Sequence, residues 1–200
     1  MIIENKGEYN VSGLLEQKQS IKLLDFKNIS EIQNLNLLKD FKLLSELRLS
    51  TCFIDKNKVD LSETSINTLT ISNCYFNIND IILPAGLKHL IIKLTAINDF
   101  KIFENLKNVI KLEYDLCDFN TFFSIEEINT LCSLEIFSII NCKGLSDIDS
   151  LFKKNQPLKI FIKNTDLKFS INHIHSGVDL ELESFKKMKL MGSGLIITSK

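Results

Sequence analysis

Apolar and polar residues alternate along this chain in short bursts, and the bursts recur. Leu47-Arg48-Leu49, Leu69-Thr70-Ile71, Leu90-Ile91-Ile92, Leu112-Glu113-Tyr114, Phe137-Ser138-Ile139 and Ile160-Phe161-Ile162 are the clearest. A period of two is the pattern of a half-buried strand. Three residues before each burst stands Leu44, Ile66, Leu87, Val109, Leu134 or Pro157. Three residues after each burst stands Cys52, Cys74, Thr95, Cys117, Cys142 or Thr165. Weaker copies flank these, with Ile21, Leu24 and Phe26 upstream and Leu180, Leu182 and Phe185 downstream. The unit therefore recurs roughly every 22 residues, the signature of a repeat architecture.

Between bursts the chain must return to start the next strand. SIEEINTLCS (124–133), SDIDSLFKKN (146–155) and DFKIFENLKN (99–108) predict helical returns, each opening on a Ser or Asp suited to an N-cap. DKNKVDLSET (55–64) and NINDIILPAG (77–86) predict extended or turn-like returns.

The pattern LxxLxLxxCxL, fullest over Leu44–Ile54, resembles the leucine-rich repeat family across about residues 18–185. Two departures stand out: copies after Cys142 are degenerate, and the first copy lacks a clear ninth-slot residue. The resemblance implies an α/β leucine-rich repeat solenoid. A curved parallel β-sheet of about seven or eight strands would line the concave side, with mixed short helices and extended returns on the convex side. One repeat cannot bury its apolar face alone, so the implied organisation is one domain over 1–200. Residues 21–185 supply the repeats; 1–20 and 186–200, the latter ending in strand-like LIITSK, supply the caps.

Strands stack roughly 4.8 Å apart, so ninth-slot cysteines should form a ladder on the inner turn. Ligand set, disulfide set and structural fixture are the three alternatives. Thr95 and Thr165 fill the same slot and offer a similar donor, which favours a structural role over a zinc or redox one. Cys132 lies outside the ladder and is expected in the core of a return helix.

Composition narrows the function classes. Net charge is −1 and Arg48 is the sole arginine, so neither nucleic acid nor an anionic membrane is favoured as a partner. No basic region precedes an apolar run at the start, and no stretch of about 18 apolar residues occurs. The odd cysteine count of five, without close pairs, fits a reducing compartment, and the chain is expected in the cytoplasm as a monomer.

No HExxH, GxSxG or phosphate-loop motif occurs. His173 and His175 form a lone HxH pair that would need a third ligand to hold a metal. No cofactor is expected, and no enzyme.

In the implied coil, the positions between consensus residues face the concave side. Its centre column reads Asp25, Arg48, Thr70, Ile91, Glu113, Ser138, Phe161, Glu181. Lys27, Ser50, Ser72, Lys93, Asp115, Ile140, Lys163 and Glu183 flank it on one side; Leu23, Glu46, Thr68, His89, Lys111, Ile136, Lys159 and Asp179 on the other. The second half thus gains Ile91, Ile136, Ile140 and Phe161 among His89, Lys93, Lys111, Glu113, Asp115, Lys159 and Lys163. Apolar anchors inside a charged rim describe a protein-binding surface. A one-residue slip of register would instead turn the set inward. Acidic Asp179, Glu181 and Glu183 could meet a basic partner or blunt the sheet edge. The expected function is a non-enzymatic binder or inhibitor of one protein, such as an immunity protein or adaptor. A scaffolding segment of a larger surface or effector protein is the alternative.

Overall fold

A computed structural model of the protein describes residues 1–54, 59–74, 81–97, 106–119, 130–144, 156–165 and 176–183. Thirteen strands are described: β1 (Ile2–Asn10), β2 (Leu23–Gln33), β3 (Glu46–Ile54), β4 (Val59–Asp60), β5 (Thr68–Ser72), β6 (Ile81–Ile82), β7 (His89–Lys93), β8 (Ala96–Ile97), β9 (Lys111–Asp115), β10 (Asp118–Phe119), β11 (Ile136–Ile140), β12 (Leu158–Lys163) and β13 (Val178–Glu183). Nine of them form one sheet, ordered β1-β2-β3-β5-β7-β9-β11-β12-β13, and every neighbouring pair is parallel. Parallel neighbours require a return between each pair, so the chain winds as a β-solenoid.

The alternation sets which face is inside. Leu24, Leu47, Leu69, Leu90, Leu112, Phe137 and Ile160 pair in register and are fully buried or nearly so. Phe26, Leu49, Ile71, Ile92, Tyr114, Ile139 and Ile162 form the next buried layer. Tyr114 meets Phe119 and Phe137 edge-on, with ring centroids at 5.1 and 6.3 Å, so aromatic packing replaces aliphatic packing at that level. Ile21, Leu44, Ile66, Leu87, Val109 and Leu134 close the core at the strand starts. The seventh such position does not follow: Pro157 is exposed and Leu158 is buried in its stead, because β12 begins one residue earlier in the register than β11.

The same backbone reversal recurs from coil to coil, inside β1, β2 and β3 and directly after β5, β7, β9, β11 and β12. Asn5, Asn28, Thr51, Asn73, Leu94, Leu116, Asn141 and Asn164 all have left-handed backbone, with φ between 48° and 54°. The reversal directs the next side chain inward, toward the last strand carbonyls, and Lys93 O, Asp115 O, Ile140 O and Lys163 O each also accept a backbone N–H of the preceding coil. The ninth-slot residue supplies a second donor. Cys52, Cys74, Cys117 and Cys142 reach the carbonyl two residues back, with Sγ···O distances of 3.2, 3.4, 3.5 and 3.2 Å. Thr95 and Thr165 donate to the equivalent carbonyls at 2.8 and 3.0 Å. The cysteines therefore serve as turn donors, interchangeable with threonine, as the sequence pattern suggested. The slot left blank in the first copy is Ile29, which pairs with Cys52.

Residues 1–20, expected as a cap, form the terminal coil of the sheet: strand β1 and a 3-10 helix, Val11–Gln17, whose start is capped by the Asn10 side chain accepting from the Ser12 N–H at 2.9 Å. Ile3 is the one buried residue of β1, so the strand left no repeat pattern to read. Cys132 is exposed, not core; the chain turns there and Leu131 and Leu134 point inward.

Helix is scarce on the convex side. Among the described residues it amounts to two named 3-10 helices, Val11–Gln17 and Leu35–Asp40, and elsewhere the returns pair as short parallel ladders, β4 with β6 and β8 with β10. Those ladders lie in the returns read as extended or just past a strand. The helical return predicted over 146–155 falls outside the described residues; of 99–108 and 124–133 only 106–108 and 130–133 are described, the first ending in a turn and the second passing from 3-10 backbone at Thr130 into a turn. The C-terminal cap, 186–200, falls outside as well.

Candidate functional site

The three outward columns of the sheet are those aligned from the leucine pattern. The ladder pairs Asp25, Arg48, Thr70, Ile91, Glu113, Ser138, Phe161 and Glu181 in sequence, with the two flanking columns beside them. All eleven candidate site residues named above stand on this face, on β7, β9, β11 and β12. His89 and Lys159 are exposed; Ile91, Lys93, Lys111, Glu113, Asp115, Ile136, Ile140, Phe161 and Lys163 are half-buried by their neighbours.

The ladder also sorts them. Ile136 and Ile140 on β11 lie diagonal to Phe161 on β12, opposite Lys159 and Lys163, and the buried Ser138 between them stands directly opposite Phe161. Ile91, on β7, is separated from that trio by β9, whose outward residues are Lys111, Glu113 and Asp115. The apolar surface is thus a compact trio plus one isolated isoleucine, rather than one patch of four.

The charges around it are neutralised within the sheet. Lys111 Nζ lies 2.9 Å from Glu113 Oε2, and Lys93 Nζ lies 3.4 Å from both Glu113 Oε1 and Asp115 Oδ2. On the far side Lys159 pairs with Glu181 at 3.4 Å and Lys163 with Glu183 at 2.8 Å. Burial pushes the Glu113 carboxyl up, but the hydrogen bond and charge of Lys111 and the charge of Lys93 outweigh it and hold the group below its ordinary value. The acidic edge at β13 is therefore partly spent on lysines of β12.

Sequence reasoning missed several features. Arg48 pairs with Glu46 at 2.6 Å and Lys27 with the buried Asp25 at 3.2 Å, in the polar first half. Such pairs join variable slots that carry no pattern. Leu94 and Leu116, each 50% exposed, stand on the left-handed turns beside Lys93 and Asp115. A shallow groove of about 400 Å³ crosses the starts of β11 to β13, lined by Cys132, Glu135, Pro157, Lys159 and Asp179 among others.

Among the described residues no three His, Cys, Asp or Glu side chains gather so as to hold a metal ion. His173 and His175 lie outside the described residues. No described helix is long and apolar enough to cross a membrane.

Internalin C2 from Listeria monocytogenes superposes with a TM-score of 0.62 at 19% identity, covering 92% of this chain and 77% of that one. The fold is the leucine-rich repeat solenoid of the internalins. An internalin F from the same organism aligns at 17% identity with a TM-score of 0.47, over 92% of this chain and 56% of its own. No protein-family model and no curated protein sequence matches the chain. The likeness to internalin C2 is one of fold: a single parallel sheet wound as a solenoid.

Proposed function

We propose that the chain is a non-enzymatic protein-binding module that engages its partner through the concave sheet. The observation that carries this is the trio Ile136, Ile140 and Phe161, held half-buried on the open face of the sheet and framed by ion pairs that are already internally neutralised. A face meant only for water would spend these slots on polar residues, as β3 and β5 do with Arg48, Ser50, Thr70 and Ser72. Small apolar clusters with neutral, polar surroundings are where interface energy concentrates. The remaining candidate residues, His89, Ile91, Lys93, Lys111, Glu113, Asp115, Lys159 and Lys163, would form the rim.

In this proposal the module works as a monomer in the cytoplasm, as a dedicated binder or inhibitor of one protein, in the manner of an immunity protein or adaptor. The near-zero net charge and single arginine support a protein partner over nucleic acid. The test is capture from the native host lysate with the wild-type chain and with the double variant Ile140→Asp, Phe161→Asp. One stoichiometric protein retained by the wild type and lost by a folded variant supports the assignment. Equal capture by both would move the interface off the concave sheet.

A further inference from the structure

The ninth-slot ladder reads Ile29, Cys52, Cys74, Thr95, Cys117, Cys142, Thr165, so its four cysteines fall into two adjacent pairs separated by a threonine. Within the first pair Cys74 Sγ reaches the Leu49 carbonyl of the Cys52 coil at 3.4 Å, and Cys52 Sγ reaches the Ser50 carbonyl beside it at 3.2 Å, so both thiols face the same turn. In both pairs the strands are direct neighbours in register, Ser50 opposite Ser72 and Asp115 opposite Ile140, two residues before each cysteine. Neighbouring strands run roughly 4.8 Å apart, inside the Cα separation of about 4.4–6.8 Å that a disulfide spans. The pairs differ in access. Cys117 and Cys142 are both buried, whereas Cys74 is only half-buried above a fully buried Cys52.

We propose that Cys52 and Cys74 form a redox modification site, a paired dithiol that a small-molecule disulfide such as oxidised glutathione converts to an inter-coil disulfide, while the Cys117–Cys142 pair stays reduced in the folded protein. The steps balance. Cys74, the less buried of the two, loses its thiol proton as its sulfur attacks oxidised glutathione; that sulfur bonds to one glutathione sulfur and the other glutathione leaves and takes up the proton. The Cys52 thiolate then attacks the Cys74 sulfur of that mixed disulfide and expels the second glutathione. Both thiol protons end on the two released glutathiones, so two cysteines are oxidised and one glutathione disulfide is reduced.

Local chemistry favours the second step. The influence of Cys74 holds the Cys52 thiol down, to about 7, which suits it as the resolving sulfur. The proximity of Cys52, with burial, pushes Cys74 up. Closing the bridge removes the thiol donors from Ser50 O, Phe26 O, Ser72 O and Leu49 O, weak contacts of 3.2 to 3.4 Å.

The test uses the folded full chain carrying Cys132→Ser, so that the exposed thiol does not pair between molecules. The protein is equilibrated in glutathione redox buffer, alkylated, and read by intact mass and peptide mapping. The expected product has lost two hydrogens, carries a cross-linked peptide pair holding Cys52 and Cys74, and leaves Cys117 and Cys142 alkylatable after unfolding. Cys52→Ser should instead trap one glutathione on Cys74. A glutathione adduct that persists on Cys74 while Cys52 is present would overturn the proposal. So would no reaction at either residue, or a Cys117–Cys142 bridge formed alongside the first.

Discussion

The Lys111 ammonium lies 2.9 Å from the Glu113 carboxylate, with Lys93 of the neighbouring strand at 3.4 Å from the same group. Two cations thus converge on one half-buried carboxylate in the centre column of the sheet. The folded state holds Glu113 below its ordinary value, so its contribution to stability is present above the unfolded value of about 4.3 and is lost as pH falls through the lower folded value. Glu113→Gln should lower stability near neutrality by on the order of 1 kcal/mol and flatten the loss on acidification. Thermal melts of both proteins across acid pH test this; parallel acid slopes would remove Glu113 from the account.

Gly144 has φ +82°, and a Cβ there would collide with the carbonyl oxygen of Phe119. The close approach belongs to the turn where Lys143 bridges to Asp118 of the preceding coil. Gly144→Ala should cost about 2–4 kcal/mol, since both the backbone conformation and the space exclude a side chain. Gly13, in the first 3-10 helix, has open space around it, and Gly13→Ala should stay within about 0.5 kcal/mol of wild type. Denaturant unfolding of the two variants gives the comparison, and equal stabilities would refute it.

Thr165 both donates to the Lys163 carbonyl at 3.0 Å and accepts the Cys142 N–H at 3.3 Å. Thr165→Val keeps the volume, removes the hydroxyl and strands a buried N–H, a loss of about 1–3 kcal/mol. Thr165→Ser keeps both hydrogen bonds and should recover most of that. If valine and serine behave alike in equilibrium unfolding, the slot is selected for size and not for its donor.

The core was legible because a strand of period two, repeated, leaves one solution for which face is inside. Leu47 and Leu49, or Leu112 and Tyr114, could not be turned outward without exposing every coil. The turn donors were legible for a related reason: cysteine and threonine share little beyond a donor on a small side chain. The first coil was not, since β1 buries Ile3 alone and its charged residues carry no repeat. Cys132 was placed inward by the sequence pattern, but the chain turns at that residue and Leu131 takes the inward position. The outward residues were placed in their columns, but their partners were not foreseen. Lys93 meets Glu113 and Asp115 only across neighbouring coils, between slots that the fold leaves free.

Leu94 and Leu116 run against two preferences at once. Both have left-handed backbone, φ 51° and 54°, which disfavours a branched apolar residue, and both are half-exposed at the rim of the sheet. Five other coils place asparagine at this turn, and Asn141 there donates to Asp115 Oδ1 at 3.1 Å while accepting from Asn164 at the same distance. Asparagine tolerates the left-handed region and could extend this side-chain ladder toward β7. Leu116→Asn should therefore stabilise the fold by about 0.5–1 kcal/mol, and Leu94→Asn by a similar amount. Chemical denaturation decides it. A loss of stability would mean that the leucine side chains contribute packing that outweighs their backbone strain, and the turn would then be set by contacts and not by conformational preference.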